Sequence, residues 1–208
     1  MSDPDAVGLS MDELISALPR LEDGWALLKG QLSTRFSVND TPLFEHEEYV
    51  ESYGQFKHWM QSVLEEAPIP KSVDGVLFSV FESEDGLELY LAGTVDADPP
   101  DDEEDWSHAV EMFPDASFAA LDIYRDISSL HEECPEAAAY LALALPVIYA
   151  AEFVGESPEH AELLLRRKGI LMRHREELIL STGFDEEKPY PFALLTQSGI
   201  RPYPRASA

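Results

Sequence analysis

Positive charge is scarce in this chain, and cysteine almost missing. Fourteen Lys and Arg stand against 41 Asp and Glu in 208 residues, a formal charge of −27 and an isoelectric point near 4.3. A nucleic-acid binder must neutralise phosphates with Lys and Arg, and a peripheral membrane protein must attract anionic lipid, so we expect neither partner. The single cysteine, Cys134, excludes an internal disulfide. No run approaches the roughly 18 apolar residues of a membrane span, and the first ten residues have neither a basic n-region nor an apolar core. On these absences a cytoplasmic protein is expected.

Catalytic and metal signatures are missing too. There is no G-x-S-x-G, no P-loop and no dinucleotide glycine pattern, and His46-Glu47 is followed by Val50 where H-E-x-x-H needs a second His. His131 and Cys134 are three apart, but a structural zinc needs four ligands and no second pair has comparable spacing. The acidic stretch near residue 100 lacks the glycine and the terminal bidentate Glu of an EF-hand. His58, His108, His160 and His174 have no sequence neighbour to orient them as a base. Hence we expect no catalytic residue, no metal and no cofactor.

What is present suits a folded domain: 45% hydrophobic, 10% aromatic residues and a mean hydropathy of −0.20. Disorder requires few core formers as well as high charge, and only the charge condition holds. The acidity is unevenly placed. Residues 72–124 hold fifteen acids and no Lys or Arg, whereas the segments before and after carry net −8 and −4. Asp96 to Asp105 puts seven acids in ten residues around Pro99-Pro100, which forbids regular helix or central strand, so an exposed loop is expected. Arg166, Arg167, Lys168, Arg173 and Arg175 form a basic cluster, for which pairing within the fold is the simpler reading.

Hydrophobic periodicity predicts an α+β fold. Residues 1–9 read as a flexible terminus and 10–208 as one domain, with a helical part over 10–67 and an α/β part over 75–195. Ser10 and Glu13 match a capping box before Leu14, Ile15, Leu18 and Leu21. A second helix is expected over Trp25 to Leu32. Asn39 to Pro42 offers a turn and cap before a third, whose Tyr49, Tyr53, Phe56, Met60, Val63 and Leu64 fall on one stripe. Pro68-Ile69-Pro70 should end it. Val76–Phe81 and Leu87–Ala92 around Glu84-Asp85-Gly86 predict a central antiparallel hairpin with Leu87, Leu89 and Leu91 on one face. Trp106, Phe113-Pro114 and Phe118 are expected to anchor the chain beyond the acidic loop. Residues 117–131 fit strand or helix and are read as helix. Pro135–Val154 predicts a buried helix with Pro146 as a potential kink. Ser157-Pro158-Glu159 starts another helix toward Lys168. Leu178–Phe184 and Tyr190–Leu195 predict a second hairpin.

Leu89-Tyr90-Leu91-Ala92-Gly93, the run Asp101 to Asp105 with Trp106, Phe113-Pro114 and later Gly183-Phe184-Asp185 together resemble a loosely defined group of small acidic α+β bacterial proteins. Members of that group serve as immunity proteins of polymorphic or contact-dependent toxin systems in interbacterial competition. The likeness covers about residues 75–195 and departs from the group in the longer helical N-terminal third. It implies a toxin inhibitor that works by protein binding, and the charge argument points the same way. Toxins that act on nucleic acid are commonly basic where they grip phosphate, so an acidic partner gains steering. Asp98, Asp101, Asp102, Glu103, Glu104 and Asp105, with Trp106 as apolar anchor, are the expected contact residues. Glu45, Glu47, Glu48 and Glu51 on one helix are an alternative patch. Two rival classes are an enzyme with a dispersed, motif-free active site and a DNA mimic that inhibits nucleic-acid-binding proteins.

Overall fold

A computed structural model of the chain describes residues 6–38, 45–84, 86–95, 110–115, 117–166, 175–185 and 187–204. Three helices precede the sheet: α1 (Ala6–Ala17), α2 (Leu21–Arg35) and α3 (His46–Glu66). The expected stripe of α3 is the buried one, with Tyr49, Tyr53, Phe56, Met60, Val63 and Leu64 all in the core. The capping box fails. Ser10 is buried inside α1, which starts at Ala6, and Glu13 instead binds Gln31 and Arg35 of α2 at 3.0 and 2.7 Å. The start of α2 is capped from a distance: Leu21 N–H donates to Glu152 at 3.0 Å, and Arg20 donates to the same carboxylate at 2.7 and 2.9 Å. The expected cap at residues 39–42 lies outside the described residues.

β1 (Gly75–Ser83) and β2 (Gly86–Thr94) form the predicted hairpin, closed at the Ser83–Gly86 pair, where Gly86 holds φ +119° as few other residues could. Short strands β3 (Val110–Met112) and β4 (Phe118–Ala119) both pair with the far edge of β2. Then follow α4 (Asp122–Glu133), α5 (Pro135–Glu156) and α6 (Pro158–Leu165), the last capped as expected by Ser157, whose side chain accepts from Glu159 N–H. The second expected hairpin is β5 (Glu177–Phe184) with β6 (Tyr190–Thr196), extended by β7 (Gly199–Pro202). All seven strands belong to one sheet in the order β3-β2-β1-β5-β6-β7, with β4 beside β2. The two hairpins join through a parallel pairing of β1 with β5, so the sheet is mixed rather than purely antiparallel. Val76, Phe78 and Val80 of β1 and Leu89 and Leu91 of β2 face the helices, and Phe56 of α3 lies 5.8 Å from Phe78 ring to ring.

α5 is the centre of the core. By length and composition it could cross a bilayer, contrary to the sequence expectation, but 89% of its apolar window is buried by the rest of the fold, as in the core helix of a soluble domain. Pro146 sits inside it and has no N–H for the carbonyl of Ala142. Tyr124 of α4 supplies the missing donor, its hydroxyl 2.8 Å from that oxygen. Complete burial holds the phenol well above its usual range, so it stays a donor at ordinary pH. Tyr124→Phe should therefore cost about 1–3 kcal/mol by stranding a buried carbonyl. In a Pro146→Ala background the restored N–H takes over, and the same change should cost about 1 kcal/mol less. Urea unfolding of the four proteins measures the coupling; additive losses would mean that the proline and the tyrosine are independent.

Candidate partner-binding surface

All seven expected contact residues, Asp98, Asp101, Asp102, Glu103, Glu104, Asp105 and Trp106, lie outside the described residues. What the structure does give is where the segment leaves and returns. Thr94 and Val110 are register partners on β2 and β3, so the acidic stretch is bracketed by two adjacent strand positions on one sheet edge.

Beside that edge the expectation for the aromatics is corrected. Phe113 and Phe118 are 54% and 46% exposed, whereas Pro114 is buried as expected and anchors the turn together with buried Met112 and Ala119. Alternation explains this: Ala119 pairs with core-facing Leu89, so Phe118 pairs with Tyr90 on the other face. The turn is fixed by Leu91 N–H to Ser117 O and Ser117 N–H to Pro114 O, both 3.0 Å. Four rings result in one patch. Phe118 lies 5.3 Å from Phe81, 5.8 Å from Tyr90 and 5.6 Å from Phe113, at edge-on or tilted angles that favour aromatic contact.

Tyr90 links the patch to a second feature. Its hydroxyl donates to Asp185 Oδ1 at 2.7 Å, and burial together with that carboxylate pushes its pKa up to about 12. Asp185 lines a cleft of about 390 Å³ at the carboxyl ends of the parallel strands β1 and β5. Phe81, Leu87 and Phe184 form apolar walls, and Glu82, Asp185, Glu187 and His131 supply polar groups, all four exposed. A smaller groove of about 200 Å³ brings Glu48 and Glu51 of α3 against Asp122 and Asp126 of α4, with Gln55 bonded to Asp122 at 2.7 Å.

The described cations are largely engaged inside the molecule. Arg20 pairs with Glu152, Arg35 with Glu13 and Lys57 with Glu156, at 2.6–2.7 Å. Burial alone would raise Glu152, but the hydrogen bonds from Arg20 and Leu21 outweigh it and hold the carboxyl below its ordinary value. Within the basic cluster Arg175 is core: it is 2% exposed and donates to the carbonyls of Val73, Ile69 and Pro70. Arg167, Lys168 and Arg173 lie outside the described residues. Among the described residues no group of three or more His, Cys, Asp or Glu is placed to hold a metal ion. No protein-family model, curated protein or solved structure matches the chain.

Sequence reasoning missed the exposed ring patch and the cleft. A signal for the first existed in the β2 alternation, because Tyr90 falls out of phase with Leu87, Leu89 and Leu91.

Proposed function

We propose that this protein is a non-enzymatic cytoplasmic binder that neutralises a basic protein partner, and that it serves as an immunity protein against a bacterial toxin acting on nucleic acid. One observation carries the reading. Fifteen acids without a compensating Lys or Arg fall in residues 72–124, and cations elsewhere, such as Arg20, Arg35, Lys57 and Arg175, are bonded within the fold. A surface of one sign focuses its field outward, speeds encounter with an opposite charge and repels nucleic acid. Protection by this route is stoichiometric: the acidic segment covers the cationic cleft with which the toxin would hold phosphate, through an interface of about 1,600 Å² in total.

Co-expression tests the reading. The protein should restore growth of cells producing one cognate toxin, drawn from candidates encoded beside its gene, and should leave unrelated nucleases active. Inhibition of several unrelated DNA-binding proteins would support a mimic of DNA in its place, and failure to rescue from any neighbouring toxin would overturn the proposal.

A further inference from the structure

Solubility alone explains acids on a surface; it does not explain large aromatic rings left in water next to them. Phe113 and Phe118 are both about half exposed, yet they are held in place through Tyr90 and Phe81 by ring contacts of 5.3–5.8 Å. Rigid, exposed aromatic area of this kind marks protein contact surfaces. The patch is continuous with the cleft, since Phe81 belongs to both and Tyr90 grips Asp185. It also begins one residue past β3, on the edge where the acidic stretch returns.

Resting on the proposed binding of a basic partner, we infer that the ring patch and the cleft form one docking surface for an arginine-bearing segment of that partner. Guanidinium is the side chain that matches both halves. It is planar and weakly hydrated, so it stacks on the faces of Phe113 and Phe118, and its fork of donors suits carboxylates. The cleft is large enough to admit such a side chain, with apolar walls at Phe81 and Phe184 for the methylene stem and Glu82 and Glu187 for the charge. Its volume falls at the small end of ligand-sized pockets, roughly 300–1,000 Å³. Lysine would bind less well, because a compact ammonium is strongly hydrated and cannot stack.

The test uses the full chain and a defined probe, N-acetyl-arginine methylamide, with the uncharged citrulline analogue as control, at physiological salt. Aromatic proton and carbon NMR shifts should move saturably at Phe81, Phe118 and Phe184 with the arginine probe only. Phe113→Ser with Phe118→Ser should weaken binding about threefold, as for an exposed cation–π contact. Glu82→Gln with Glu187→Gln should weaken it about tenfold, as expected for charged hydrogen bonds in a half-closed site. Glu65→Gln with Glu66→Gln on the last turn of α3, which removes equal charge away from this surface, should change little. Equal weakening by that control pair would reduce the effect to bulk charge, and equal binding of citrulline would show that the guanidinium charge is not recognised; either result would overturn the inference. In growth rescue, loss of protection by both site pairs supports it. Protection that survives both pairs would remove this surface from the interface while leaving the immunity reading intact.

Discussion

Arg175→Met should lower the free energy of unfolding by about 3–6 kcal/mol, a large part of the roughly 5–15 kcal/mol that holds an ordinary domain together. Arg175 is 2% exposed and its guanidinium reaches three carbonyls, those of Ile69, Pro70 and Val73. These belong to the connection between α3 and β1, where Pro70 has no N–H of its own to offer a neighbour. The backbone N–H of Arg175 meanwhile donates to Leu165 O at the end of α6, at 2.9 Å. One side chain thus ties the helical third to the start of the sheet. Methionine fills much of the space but brings no donor, so buried carbonyls lose their partners, and each such loss costs about 1–3 kcal/mol. Arg175→Lys should recover part of the loss, because an ammonium has three donors but not the reach of a planar fork. Urea unfolding followed by circular dichroism measures both; a loss below about 1 kcal/mol for the methionine variant would show that water replaces the guanidinium.

Arg175 also shows where a sequence falls short. In the chain it stands in a run of cations for which pairing within the fold is the simpler reading, but only the fold shows that its partners are backbone carbonyls of a linker about a hundred residues away. The same distance hid the parallel joint of β1 and β5, whose register pairs Gly75 with Ile179. Local periodicity carries no information on such pairings. Where the pattern is local and strong, it was sufficient. The 3.6-residue stripe from Tyr49 to Leu64 is the buried face of α3, and the alternation of Leu87, Leu89 and Leu91 gives the correct face of β2. Strands of two to four residues, β3, β4 and β7, are too short to show a period. Phe113 and Phe118 were misplaced because large aromatics are usually buried, a tendency that says nothing about a turn whose Met112, Pro114 and Ala119 already fill the core contacts. Ser10 and Glu13 matched a capping box in spacing alone, and packing of α1 on α2 claimed both.

Neutralising the acidic run, Asp101→Asn, Asp102→Asn, Glu103→Gln, Glu104→Gln and Asp105→Asn together, should slow association with the basic partner by about 10–100-fold at low salt. The change takes the net charge from −27 to −22. We expect these five charges to count for more than their share, because the described strand positions that flank their stretch, Thr94 and Val110, pair on one sheet edge, and the open rings of Phe113 and Phe118 follow soon after Val110. A field acts on encounter before any contact forms, so the loss should fall on the on-rate and leave the off-rate nearly as it was. Its salt dependence follows from screening: with a Debye length of about 8 Å at physiological ionic strength, the wild-type advantage shrinks as salt rises and the two on-rates converge. The ring substitutions at Phe113 and Phe118 should do the reverse, raising the off-rate at every salt concentration, since apolar contact is made only after docking. Stability supplies an independent check without any partner. Removing five like charges from a chain of this acidity relieves self-repulsion, so the neutralised protein should unfold at the same or a higher temperature in low salt. An unchanged on-rate with a raised melting temperature would make the acidic run a device for solubility, and would move the steering charge to Glu48, Glu51, Asp122 and Asp126 in the groove between α3 and α4.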